Sequence, residues 1–342
     1  MKAMVLCAGL GTRLRPLTNT WPKPAMPLLA GPLLRYALAT LRNAGLTGVG
    51  INTHHLPEVM AATARAELPS VHVVHEAGEI QGTGGGIRGL KDFLRDDDFV
   101  VLNGDVLFSV DLKPIIAAHR ASKAAATMVL LPMPEGEKYN AVELDDARLV
   151  RRIAGLGTSG LKLSAWHFTG VHVCSPRVFD FMSPAGPEDI NRDVYVKMIA
   201  QGLEVRGHVL RAEDVYWSDL GTPQRYAATH QHLLFGQVPV ASFGAHGPFS
   251  GHTRLEGEIA SWKHPTAQLD PDVKFAGPCF FGAACVVEAG VRLGAGVSIG
   301  ANARVGQGAR LNRVAVLEGG VVAPGAQLVD VIVGADSIVP TA

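Results

Sequence analysis

Along the first 130 residues, short apolar runs alternate with stretches whose apolar positions recur every three or four residues. Residues 2–7, which carry the apolar run Met4, Val5, Leu6 and Cys7, read as a buried strand. In LLRYALATLRNAGL, Leu34, Leu38 and Leu41 share one helical face and Gly45 supplies the stop. The same reading predicts strands at GVGINT and VHVVHE, and helices at PEVMAATARAEL, opened by Pro57, and at GGIRGLKDFL. A long apolar strand is predicted at FVVLNGDVLF, then a helix at LKPIIAAHRASK and a strand at AATMVLLPM. Such alternation predicts an α/β fold, a mostly parallel sheet with helices on both faces. Ligands of these sheets lie beyond the carboxyl ends of the strands. The loop after the first strand, EIQGTGGG and NGDV all fall at such ends.

From about residue 135 the pattern changes. NAVELDD, LVRRIAG and AWHFTGVHV read as strands of an added, more antiparallel layer. INRDVYVKMIAQG reads as a helix ending at Gly202, followed by EVRGHVL, VYWSDLGT and the helix PQRYAATHQHLL. Residues 236–271, rich in Gly, Pro, Ser and His, are expected to be a connector. Beyond them Phe275, Phe281, Val287, Leu293, Ile299, Val305 and Leu311 stand six apart, with Gly282, Gly294, Gly300 and Gly306 following several of them. A six-residue period with small residues between suits a parallel β-helix, one short strand per side of a triangular coil. The expected division is therefore 1–235, 236–271 and 272–342.

Composition narrows the function. Of the 342 residues 47% are hydrophobic, enough for a large core in two units. Lys plus Arg and Asp plus Glu both number 31, so the formal charge is zero, which argues against nucleic acid or a membrane surface as partner. Any phosphate binding must come from a local cluster. Cys7, Cys174, Cys279 and Cys285 form no C-x-x-C and sit in apolar stretches, as buried thiols do. The chain enters a strand pattern at once and has no apolar run near the ~18 residues of a membrane span, so a cytoplasmic protein is expected.

The loop LCAGLGTRLRPLTNTWPKP supplies the local cluster. Its glycines let backbone N–H groups face an anion, Thr12 adds a hydroxyl, and Arg13 and Lys23 add charge. It is neither a Walker A loop nor a G-x-G-x-x-G fingerprint. The residues alone leave two readings open, a basic surface turn and a polyphosphate cradle. Asp105 in LNGDVLF and Asp219 in YWSDLGTP each follow an apolar run; paired carboxylates suit Mg²⁺, while either alone suits a turn or a helix cap. The glycine run of EIQGTGGGI permits close approach of a flat ring or ribose, or simply makes a flexible turn. His54 and His55 have no evident third ligand and read as structural or rim residues, and Trp21 and Trp217 flank the candidate site.

Taken together, LCAGLGTRLRPLT…PKP, GTGGG, NGDV and WSDLGTP resemble, in content and order, the sugar-1-phosphate nucleotidyltransferases, and the repeat resembles the tail many members carry. The resemblance covers roughly residues 1–235 and 272–340. It implies a Rossmann-like, mostly parallel sheet domain followed by a left-handed parallel β-helix. The implied reaction joins a nucleoside triphosphate and a sugar 1-phosphate into a nucleotide sugar and pyrophosphate, with Mg²⁺ as cofactor. It places Arg13 and Lys23 in the catalytic role, and Leu6, Ala8, Gly9, Gly11, Thr12, Gln81, Gly82, Thr83, Asn103 and Gly104 at the nucleotide. Asn140, Glu143, Lys162 and Gly170 fall to the sugar phosphate, and Asp105 and Asp219 to the metal.

The sequence departs from the pattern in places. An EKP motif, whose lysine binds the sugar phosphate in many relatives, is missing from YNAVELDDARLVRRIAG, leaving Arg151, Arg152 or Lys162 as candidates. Asn140 stands where a Gly is usual, and PLLAGPLL is one residue short. The GTGGGI form resembles mannose-1-phosphate guanylyltransferases and N-acetylmuramate 1-phosphate uridylyltransferases more than thymidylyltransferases, so GTP or UTP is implied, GTP foremost. A nucleotide-sugar sensor on the same fold is the non-catalytic alternative. An acyltransferase tail would use a His base, and His264 is the last histidine of the chain; a structural tail that joins copies of the chain is expected instead.

Overall fold

A computed structural model of the protein describes every residue except 159, 161, 256 and 258. The chain folds into two compact units, Met1–Leu10 with Ala37–Trp217, and Gly11–Tyr36 with Ser218–Ala342.

The first unit is built on a 10-stranded sheet. Its strands include β1 (Lys2–Leu6), β2 (Val49–Thr53), β3 (His72–His75), β4 (Phe99–Asn103), β5 (Ala126–Pro132), β6 (Ala141–Leu144), β7 (Val150–Ile153), β8 (Ser164–Cys174) and β9 (Val205–Val209). The order runs β7-β6-β8-β4-β1-β2-β3, with β5 beside β8 and β9 beside β5. The strands β4, β1, β2 and β3 are parallel, and β6, β7 and β8 add the antiparallel layer. Ala3, Met4 and Val5 of β1 and Phe99, Val100 and Val101 of β4 are fully buried, because both faces are covered and unbroken apolar runs are what such strands need. The helices α1 (Leu33–Asn43), α2 (Pro57–Glu67) and α4 (Leu112–Ser122) fall where the periodicity puts them, whereas GGIRGLKDFL is split at Leu90 into α3 (Gly82–Gly89) and a single turn at Lys91–Leu94.

Two elements differ from the sequence reading. FVVLNGDVLF is not one strand; β4 stops at Asn103, and pairing resumes only at Leu107–Ser109. The Gly104 N–H donates the last bond of the ladder, to the Leu6 carbonyl at 2.9 Å, and the chain then turns at Gly104–Asp105. INRDVYVKMIAQG opens as a wide π-helical turn at Ile190–Tyr195 before the short α5 (Val196–Ala200). Asp189 caps that turn, its Oδ1 accepting from the N–H groups of Asn191 (2.9 Å) and Arg192 (2.8 Å).

The second unit holds helix α6 (Pro223–Leu234) and a coil of short parallel strands. Gln268 pairs with Val286 and Val286 with Arg304, a step of 18 residues, three of the six-residue periods. Phe281, Val287, Leu293, Ile299, Val305 and Leu311 point inward and are at most 2% exposed. Gly300 shows why glycine recurs at the corners: a Cβ there would lie 2.7 Å from the Glu318 nitrogen of the next rung. In the last rung the step falls to 17, as Arg304 pairs with Val321. Strands Trp262–Lys263 and Gln268–Leu269, within the stretch expected to be a connector, already pair in parallel with this coil. All four cysteines are buried free thiols. No helix among the described residues is long and apolar enough to cross a membrane.

Candidate functional site

The predicted residues divide between the two units. In the first, β1 and β4 lie in parallel with Leu6 opposite Asn103, so the loop of Ala8 and Gly9 and the turn Gly104–Asp105 leave the sheet at the same edge. Gly104 is obligatory on geometry, since a Cβ would sit 2.8 Å from the Leu6 carbonyl oxygen and 2.9 Å from the Cys7 sulfur. Burial, with the Asp105 charge second, pushes the Cys7 thiol far above its ordinary value, so it is no nucleophile. Gly170 has φ +85° and leaves no space for a side chain, because Asn103 atoms lie 2.8 Å from where its Cβ would be. It marks the bulge at which β8 turns from β6 to β4.

The sequence of the glycine run leaves room for close approach of a ring or ribose, or makes a flexible turn. The structure fills part of that room with protein: Cβ atoms on Gly82 and Gly84 would meet the Glu188 carbonyl oxygen at 2.6 and 3.1 Å, and one on Gly86 would meet Asn52 Nδ2 at 2.6 Å. Gln81 stays half-exposed beside them, its Oε1 accepting from Arg88 Nη2 at 3.3 Å. Thr83 Oγ1 accepts from the Ile190 N–H (2.9 Å) and reaches Asp189 (3.4 Å), tying this turn to the π-helical turn.

A cleft of about 290 Å³ opens beside that turn, lined among others by Tyr139, Asn140, His167, Asp189, Asn191 and Arg192. Tyr139 and His167 meet at a 49° tilt with ring centroids 4.3 Å apart, and Trp217 meets both edge-on while donating Nε1–H to the Thr169 carbonyl at 2.9 Å. Asn140 is therefore in the cleft. Glu143 is not among the lining residues and pairs with Arg152 at 3.3 Å. Of the lysine substitutes, Arg151 is held by Asp145 at 2.7 Å, Arg152 by Glu143, and Lys162 is exposed. The cation that does line the cleft is Arg192, which the sequence reading passed over as part of a helix.

The second unit gathers Gly11, Arg13, Lys23 and Asp219. Gly11 has φ +60° and starts the tight turn Thr12–Leu14, leaving Thr12 exposed. Lys23 is only 5% exposed, and its Nζ donates to the Asp219 carbonyl oxygen at 2.5 Å. The Asp219 Oδ1 accepts from Arg225 Nη1 at 2.7 Å and from the Gly221 N–H at 3.2 Å. Its Oδ2 faces Arg13 Nη2 at 3.9 Å. Burial raises the Asp219 carboxyl, but the Arg225 hydrogen bond and charge, the Gly221 amide and the Lys23 charge outweigh it and hold the group below its ordinary range. The carboxylate is thus ionised, with one oxygen fixed and one presented. Arg225 was not singled out in the sequence, though a signal existed. It lies in the first turn of α6, where a cation opposes the helix dipole unless paired.

No group of three or more His, Cys, Asp or Glu among the described residues could hold a metal. Mg²⁺ needs less, one or two carboxylate oxygens with the rest from water and phosphate, and the presented Asp219 Oδ2 is a hard donor of that kind.

The fold is an α/β sheet domain in which the glycine-rich loop, the Gly104–Asp105 turn and the glycine turn opening α3 each follow a strand. The chain belongs to the nucleotidyl transferase family, whose model matches residues 2–235. It is 30% identical over 254 residues to a UTP–glucose-1-phosphate uridylyltransferase of Synechocystis, covering 70% of this chain and 64% of that protein. It is 30% identical over 249 residues to a mannose-1-phosphate guanylyltransferase of Mycobacterium tuberculosis, covering 71% and 67%. The match thus spans about two thirds of the length of these relatives. The solved structure of HddC from Yersinia pseudotuberculosis with GMP-PN shares the fold, with TM-score 0.55 and 20% identity over 67% of this chain and 97% of that one.

Proposed function

We propose that the protein transfers a nucleotidyl group from a nucleoside triphosphate to a sugar 1-phosphate, releasing pyrophosphate. The observation that carries this reading is the ionised Asp219, fixed through one oxygen and presenting the other beside Arg13, in the motif order of the family. GTP with a mannose-type 1-phosphate is the leading substrate pair, in line with the guanylyltransferase relative, and UTP is the second, in line with the uridylyltransferase.

A phosphate oxygen of the sugar 1-phosphate attacks the α-phosphorus in line. The new P–O bond forms as the bond to the β-phosphate breaks, and the electron pair leaves on pyrophosphate. No enzyme nucleophile is needed, so the protein's task is positioning and charge neutralisation. Gly9, Gly11 and Thr12 offer donors to the triphosphate, with Leu6, Ala8, Asn103 and Gly104 shaping its seat. Arg13 takes the outgoing pyrophosphate, and buried Lys23 offsets charge at the reacting phosphates. Gln81, Gly82 and Thr83 face base and ribose. Asn140 and Arg192 take the sugar phosphate in the cleft, with Tyr139 and His167 as its aromatic wall. Asp105 and Asp219 would hold Mg²⁺, which when bound supplies charge neutralisation to the phosphates. The coil serves as a structural tail that joins copies of the chain. Pyrophosphate release from a triphosphate and a sugar 1-phosphate together, lost in Asp219→Asn, tests the proposal; nucleotide binding without turnover would favour a sensor.

A further inference from the structure

We propose that Asn52 and Glu76 are positioning residues that hold the first-strand loop and the glycine turn at the spacing a nucleoside triphosphate requires. This rests on the nucleotidyl-transfer reading above. Both side chains are buried, at 2% and 7% exposure, and together they form a strut between the two segments. The Cys7 N–H, directly before Ala8 and Gly9, donates to Asn52 Oδ1 at 2.8 Å. Asn52 Nδ2 donates to Glu76 Oε1 at 2.6 Å, and Glu76 Oε2 accepts from the Gln81 N–H at 2.9 Å. Polarity fixes the amide orientation, since Nδ2 could not accept from Cys7. The last glycine of GTGGG then has a reason that ligand approach does not give: a side chain on Gly86 would strike Asn52 Nδ2 and Glu76 Oε1, at 2.6 and 3.1 Å from its Cβ.

The bond set is directional, which makes it testable. Glu76→Gln introduces a donor where two donors already point. If it faces Gln81 it opposes that N–H; if it faces Asn52, the Asn52 amide must flip and oppose the Cys7 N–H. One bond is lost in either arrangement, and a buried group is left unpaired. Asn52→Asp alone sets two carboxylates against each other. The double variant Asn52→Asp/Glu76→Gln restores every bond: the carboxylate at position 52 accepts from Cys7 and from the amide at position 76, whose oxygen accepts from Gln81. A merely structural role would track stability, whereas a positioning role tracks triphosphate affinity and is rescued by the swap.

The experiment is calorimetric titration of GTP and of UTP into the full-length wild type, both single variants and the double variant, beside thermal melts and the KM for sugar 1-phosphate. Glu76→Gln is expected to weaken triphosphate binding about tenfold, ~1.4 kcal/mol. The double variant should return to within about threefold of wild type, with the sugar-phosphate KM unchanged throughout. Glu76→Gln folded and binding as wild type, or a double variant no better than the singles, overturns the inference. If Glu76→Gln does not fold, the double variant decides. A wild type that binds neither triphosphate defeats the proposed function itself, and this inference with it.

Discussion

Replacing Arg225 by Ala tests the chemistry assigned to Asp219. The guanidinium donates to Asp219 Oδ1 at 2.7 Å, with side-chain exposures of 31% and 15%. A hydrogen bond to a charged group contributes about 1.5–3 kcal/mol, and solvent access to the arginine lowers that to about 1–2 kcal/mol here. The effect has a pH signature. Because the folded Asp219 carboxyl lies below its ordinary value, its pairing stabilises the protein above that value and is lost as pH falls through the folded one. Arg225→Ala should therefore cost about 1–2 kcal/mol at pH 7, and the difference from wild type should narrow at an acid pH well below the ordinary carboxylate range. Urea denaturation followed by circular dichroism at both pH values measures it. Pyrophosphate release should fall at least ~10-fold as the presented oxygen loses its fixed direction, with Arg225→Lys intermediate because it keeps the charge and loses the planar fork. An equal cost at both pH values, or none at pH 7, would refute the reasoning.

Further outcomes follow from other sites. Gly300→Ala should destabilise the coil by about 1–3 kcal/mol, read by thermal melting, because its Cβ would meet backbone of the next rung at 2.7 Å. Arg192→Ala should raise the KM for sugar 1-phosphate at least ~10-fold and leave triphosphate binding unchanged; the opposite split would move Arg192 out of the sugar-phosphate role. Burial pushes the His172 and His230 imidazoles down to about 3 and about 4, so the folded chain refuses protons that the unfolded chain accepts below about 6.5. Stability should therefore fall as pH drops from 6.5 toward 4, and His172→Gln should flatten that acid limb in denaturant titrations.

Most of the fold was legible because its signals are periodic. Apolar runs in β1 and β4, the helical spacing of Leu34, Leu38 and Leu41, and the six-residue step from Phe275 to Leu311 each report one element without tertiary context. The parallel coil and its buried line of side chains followed directly. What stayed hidden depends on contacts distant in sequence. The strand that looked continuous ends in a turn at Gly104, whose packing against the Leu6 carbonyl and the Cys7 sulfur no local pattern shows. The π-helical turn arose from the Asp189 cap and put Arg192 into a cleft, whereas a helical pattern assigned it no direction. The GTGGG run carried two meanings, ligand approach and close packing against Glu188 and Asn52, and only packing partners separate them. Arg225 was detectable in principle as a cation at a helix start. Asn52 and Glu76 were not, since a buried strut is defined by three bonds that join residues 7, 52, 76 and 81.

Pyrophosphate release should be measured with Mg²⁺ across a grid of nucleoside triphosphates and sugar 1-phosphates, beside Asp219→Asn. Release should require both substrates, be strongest with GTP and a mannose-type 1-phosphate, and fall at least ~100-fold in Asp219→Asn. Triphosphate binding with no release for any pair, or release undiminished in Asp219→Asn, would contradict the proposed nucleotidyl transfer.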